Sequence, residues 1–149
     1  MGDNLDRNYF KTIGVDFAMK KQEDGAIQIW DIAGEASEKT IRAYLQGSSG
    51  AFLLFDVMTP ESFRKLSRWL DLLMSTLNHV HVAVVGNKID LRSELNGMGK
   101  EDTEGFMRQL RGTVPGEVAY FETSALTGDG VEEAFNWMFS TLVREDRDV

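Results

Sequence analysis

Asn87, Lys88 and Asp90 stand directly after the apolar run Val82-Ala83-Val84-Val85 and Gly86. Their chemistry suits a flat, nitrogen-rich ring. An ionised carboxylate only accepts hydrogen bonds, so Asp90 matches a partner with two neighbouring N–H donors on one edge, as guanine has and adenine lacks. Asn87 donates and accepts at once, and the methylene stem of Lys88 can lie along a ring face. A second chemical pair is Asp31 and Gly34. The carboxylate can hold a magnesium-bound water, and the glycine N–H can approach a phosphate without a side chain in the way. Glu35 follows them, and Ser124 and Ala125 close a third polar turn.

The elements that must position these residues follow from the apolar pattern. Thr12 to Lys20 alternates Ile13, Val15 and Phe17 with smaller or polar residues, predicting a half-buried strand near a sheet edge. Asp24-Gly25 is a hairpin signal, so Ile27 to Ile32 is expected antiparallel to it, ending at Asp31. Ile41, Tyr44 and Leu45 recur at helical spacing between Ala36 and Gly50. Ala51 to Val57 is continuously apolar, which predicts a central, parallel strand. Thr59-Pro60 opens a helix with Thr59 as N-cap and with Phe63, Leu66, Leu70, Leu73, Met74 and Leu77 as its core stripe. Val82 to Val85 reads as a strand covered on both faces, ended by Gly86 where a side chain would crowd a ligand. A polar loop, Ser93 to Lys100, then leads to a helix turning Phe106, Met107 and Leu110 inward. Val118 to Glu122 is the last strand, and Val131 to Arg144 the last helix, before a charged tail that frays.

The bulk numbers bound the class. With 149 residues, 42% hydrophobic and 27% charged, the chain fits one globular domain spanning residues 1–149. A net charge of −8 argues against nucleic acid or an anionic membrane as the main partner, but not against a nucleotide held by backbone N–H groups and a metal ion. Without cysteine there is no disulfide, thiolate metal site, prenylation or palmitoylation, and Asp6 stands where a myristoylation signal needs Ser or Thr. These features predict a cytoplasmic monomer with no lipid anchor on these residues.

Asn87-Lys88-Ile89-Asp90 resembles the guanine-reading N-K-x-D loop of GTPases, and Asp31-Ile32-Ala33-Gly34 resembles their D-x-x-G motif. Ile29 to Glu35 is similar to the same stretch of Ras-like small GTPases, and Thr12-Ile13-Gly14-Val15-Asp16-Phe17 to switch I of the Rab branch. Thr123-Ser124-Ala125-Leu126 resembles the fifth GTPase motif, and the likeness runs from about Thr12 to Leu142.

The resemblance implies an α/β fold of the small GTPase (P-loop NTPase) type, three layers around a mostly parallel sheet, with the site residues gathered at the carboxyl ends of the strands. It implies GTP and GDP as ligands with Mg2+. Thr12 and Asp31 would serve the metal, Gly34 the γ-phosphate, and Glu35 with Gly34 the catalytic position. Asn87, Lys88 and Asp90 would read guanine, with Ser124 and Ala125 supporting the base. Effector and regulator proteins would bind the switch segments around Thr12 and from Glu35 to Tyr44.

Two departures qualify it. No G-x-x-x-x-G-K-[ST] phosphate loop occurs in these residues, so the family's first strand, phosphate loop and first helix are missing, and a natural start upstream of Met1 is the expectation. Glu35 stands where the family commonly has a glutamine that orients water, so hydrolysis is expected to be slow. The other reading is a non-hydrolysing pseudo-GTPase that serves as an interaction module.

Overall fold

The computed structural model describes residues 15–93 and 96–148; Thr12 lies outside them. The chain divides into two compact units, residues 1–46 and 47–149.

In the first unit, β1 (Val15–Gln22) pairs antiparallel with β2 (Gly25–Ile32). The turn is Glu23-Asp24, one residue earlier than the sequence suggests, because Gly25 already pairs with Gln22. Phe17, expected half-buried, is 48% exposed. Its ring lies 4.9 Å from that of its cross-strand partner Trp30, so the two aromatics cover each other rather than a core. A helix, α1 (Glu38–Leu45), follows. Its N-cap is Ser37, whose Oγ accepts from the Thr40 N–H at 3.2 Å, and it buries Ile41 and Leu45.

The second unit is a parallel sheet in the order β3 (Gly50–Asp56), β4 (His81–Asn87), β5 (Val118–Glu122). The central strand is therefore β4 and not β3. Among the described residues no strand pairs with the other edge of β3. Helices connect the strands in the alternation that parallel pairing requires: α2 (Pro60–Arg64) and α3 (Leu66–Thr76), then α4 (Lys100–Thr113), and finally α5 (Val131–Arg147). The predicted single helix from Thr59 is broken at Lys65, which the apolar stripe cannot reveal because it runs on from Phe63 to Leu66 across the break. Thr59 does occupy the N-cap position, but its hydroxyl donates to Asp56 Oδ2 at 3.3 Å and caps nothing. α5 continues past Arg144 to Arg147.

Both faces of β4 are covered. On one, Ala83 and Val85 meet Met138 of α5, with Phe52, Phe121, Trp137 and Leu142 packed around them. On the other, an aromatic row joins β3 to α2 and α4, Phe55 to Phe63 at 5.0 Å and Phe63 to Phe106 at 5.5 Å. This explains the unbroken apolar run Val82 to Val85, every residue of which is buried. The fold class is α/β, with a parallel three-stranded sheet between helices.

Candidate functional site

The carboxyl ends of β4 and β5 bring Asn87, Lys88, Asp90, Ser124 and Ala125 together. Asn87 is the last residue of β4. Lys88 then turns the chain through the left-handed region at φ +67°, and Ile89–Leu91 form a single 3-10 turn that carries Asp90. A non-glycine residue costs about 1–2 kcal/mol in that conformation. An ion pair from Lys88 Nζ to Asp56 Oδ2 at 2.9 Å holds the side chain that makes the cost worth keeping. Burial pushes the Asp56 carboxyl up, but the Lys88 ammonium and the Met58 N–H together bring it below the usual aspartate range.

The two loops are sewn to each other. Ala125 N–H and Thr123 Oγ1 both donate to Asn87 Oδ1, at 3.0 and 3.1 Å, which fixes the amide with its oxygen inward and its two N–H donors available. Ser124 Oγ donates to Asp90 Oδ1 at 2.7 Å, leaving Oδ2 of this exposed carboxylate as an acceptor. Backbone bonds run beside these: Thr123 N–H to Gly86 O at 2.8 Å and Ile89 N–H to Thr123 O at 3.2 Å. The result is a rigid edge offering amide donors at Asn87 and a carboxylate acceptor at Asp90, three positions apart.

Gly86 has a packing role besides the one its position suggested. It lies inside β4, and a Cβ there would come to 3.0 Å from Phe55 Cζ and Val57 Cγ1 and 3.1 Å from Tyr120 Oη. Close packing of these three side chains favours the glycine. Gly130 plays a matching part at the other loop: at φ +72° it starts α5, and a Cβ would run into the Glu122 carbonyl.

Asp31, Gly34 and Glu35 belong to the first unit, at and just beyond the end of β2, and all three are exposed. The β1–β2 register sets Asp16 opposite Asp31 on the same face. Carboxylate oxygens are the ligands a small hard cation such as Mg2+ takes, so the donor chemistry fits.

One feature of this unit was not legible as a site. Phe17, Trp30 and Tyr44 form a continuous stack, with centroid separations of 4.9 and 5.6 Å, and are 48%, 45% and 40% exposed. Two strands and a helix contribute one ring each, so no local motif announces it. Adjacent exposed aromatics of this kind make the stack a candidate contact surface.

Among the described residues, His79, His81 and Glu145 place one ligand atom each within 4.8 Å of one another. The hydrogen bonds speak against a metal there. Glu117 N–H donates to His81 Nδ1 at 2.9 Å, so the neutral ring carries its proton on Nε2 and donates it to Glu145 Oε2 at 2.8 Å. A metal at Nε2 requires the opposite tautomer. With His79 Nε2 2.7 Å from Glu145 Oε1, the trio is a clamp on the last turns of α5. The His81 hydrogen bond, against a smaller opposing effect of burial, holds the Glu145 carboxyl below its ordinary range.

Comparison with known proteins points the same way as the motifs. The sequence model of the Ras family matches residues 1–144. Ras-related protein Rab-4A of Homo sapiens is 37% identical over 130 residues, 83% of this chain and 56% of the relative. Rab-4B of Mus musculus is 37% identical over 130 residues, 83% and 58% respectively. Rab-4A of Danio rerio is 36% identical over the same length, again 83% and 58%. The chain thus spans a little over half the length of the curated relatives it matches.

Proposed function

Because the chain belongs to the Ras family of small GTPases, on its Rab-like side, we propose that residues 1–149 are a guanine-nucleotide-binding switch domain that exchanges GDP for GTP and hydrolyses the latter. The observation that carries this is the sewn edge of Asn87 and Asp90. Its amide donors face the acceptors of guanine at N7 and O6, and its carboxylate takes the N1–H and the 2-amino group. Lys88 covers the ring with its stem, and Ser124 holds Asp90 in place. Ala125 shares its N–H between Asn87 and the incoming base.

Asp31, with Thr12, would hold Mg2+, which when bound neutralises phosphate oxygens. Gly34 would approach the γ-phosphate through its N–H. Glu35 beside it sets a carboxylate against that phosphate, which makes hydrolysis slow. The switch reports to protein partners, and the Phe17–Trp30–Tyr44 stack gives effectors an apolar anchor within the switch region. The retained hydrogen bonds of Asn87 and Asp90 weigh against the pseudo-GTPase reading, since a module without nucleotide has no use for that edge.

The test is competition for a fluorescent guanine nucleotide by GDP, GTP, GMP and ATP in the presence of Mg2+. Displacement by GDP and GTP with no displacement by ATP is the expected result. Equal displacement by ATP overturns base reading, and no binding of any nucleotide overturns the switch.

A further inference from the structure

Arg92 lies two residues after Asp90, and its backbone N–H closes the 3-10 turn on Ile89 O at 3.1 Å. Its guanidinium then leaves the turn altogether. Nη1 donates to Glu122 Oε1 at 2.7 Å and Nη2 to Glu122 Oε2 at 2.6 Å, a two-bond fork. Nη1 also donates to Met98 O at 2.9 Å. Glu122 is the last residue of β5, two before Ser124, and accepts a further bond from Tyr120 Oη at 3.2 Å. Both charged side chains are about three-quarters shielded, at 26% and 27% exposure.

The fork therefore joins the root of one base-reading loop to the root of the other. Above it, Ser124 grips Asp90 and Ala125 grips Asn87; below it, the turn and strand are pinned by a planar, bidentate charge pair whose geometry allows little sliding. We propose that Arg92 and Glu122 are positioning residues of the guanine pocket, fixing the spacing between the turn that carries Asp90 and the loop that carries Ser124 and Ala125. This rests on the base-reading function above. Neither residue touches the base. The pair acts through Asp90 and Asn87, and it serves guanine recognition beyond its service to the fold.

A purely structural ion pair and a positioning pair differ in what they couple to. Amide hydrogen exchange of the free chain reads the pair without any nucleotide. Arg92→Gln should speed exchange at Ala125 and Ile89, whose acceptors lie across the two loops, by about tenfold, with Val82 to Val85 unchanged. No change at those two amides, or an equal rise throughout the core, overturns the proposal. The second arm is a double-mutant cycle on GDP affinity. Arg92→Gln and Glu122→Gln should each weaken GDP by about tenfold, and that loss should shrink to well under half of this factor when Asp90→Ala is already present. An equal loss in both backgrounds overturns the proposal. If the unsubstituted chain binds no GDP, the switch reading fails while hydrogen exchange still decides whether the fork sets the loop spacing.

Discussion

Lys88 holds a backbone conformation that glycine would adopt without cost, and it does so between Asn87 and Asp90, the two residues proposed to read the base. The side chain must therefore return something, and the ion pair to Asp56 ties it to the end of the neighbouring strand. On the proposed function, Asp90 should be the residue whose loss is most selective. Asp90→Asn replaces an acceptor by a donor where guanine offers only N–H groups, so a charged hydrogen bond of about 1.5–3 kcal/mol is lost. GDP affinity should fall by about 10- to 150-fold in a fluorescence titration, with ATP still failing to compete; retained GDP affinity would sink the assignment. Residue types at this scale were readable from the sequence because hydrogen-bond chemistry depends on identity and close spacing. Their mutual grip was not. Asn87 and Ala125 are 38 positions apart, and only the parallel pairing of β4 with β5 brings the two together.

At the scale of elements, the unbroken run Val82 to Val85 announced a strand buried on both sides, since it is short, rich in β-branched valine and free of polar residues. The break at Lys65 and the extra turn of α5 went unannounced. Apolar periodicity reports which face is buried and is silent on whether the backbone hydrogen bonds run through. The loop from β5 to α5 shows how backbone sets position. Gly128 and Gly130 have similar positive φ, +88° and +72°, but a Cβ at Gly128 meets open space while one at Gly130 meets the Glu122 carbonyl. Gly128→Ala should cost about 1 kcal/mol, the strain of the conformation alone. Gly130→Ala should exceed that by at least about 1–2 kcal/mol, lowering the thermal midpoint by a further ~2–8 °C. Equal shifts in a melting experiment would show that the loop relaxes freely.

At the scale of the whole molecule, the sequence disclosed the class and the order of elements but not the division into two sheets, β1–β2 and β3–β4–β5. The Asp24-Gly25 turn announced the β1–β2 pairing, whereas the order β3–β4–β5 joins strands separated by helices and leaves no local trace. Acid behaviour follows from three paired carboxylates. Asp56, Glu122 and Glu145 all bind protons less readily in the folded chain than carboxyls ordinarily do, because Lys88, Arg92 and His81 respectively hold the charged form. The unfolded chain then takes up protons first as pH falls. The stability these groups supply is complete above about pH 5 and is lost progressively as pH drops through 4 and below. Urea midpoints measured from pH 7 to pH 3 should be flat at first and then fall; a rise on acidification would contradict the three pairings.

The edge of β3 that no strand among the described residues pairs bears on handling as well as on architecture. It presents a row of backbone N–H and C=O groups beside Leu54, an apolar side chain 57% exposed, on a strand reading Gly-Ala-Phe-Leu-Leu-Phe-Asp. Such a row is a template for strand addition, and natural edges are commonly guarded by a charge. Nothing charged stands on β3 before Asp56. The consequence is a solubility ceiling: concentrated solutions of this chain should turn turbid on gentle warming before their secondary structure melts. Leu54→Lys should raise the concentration at which scattering begins while leaving the melting temperature within a degree or two, about the effect of an ordinary surface change.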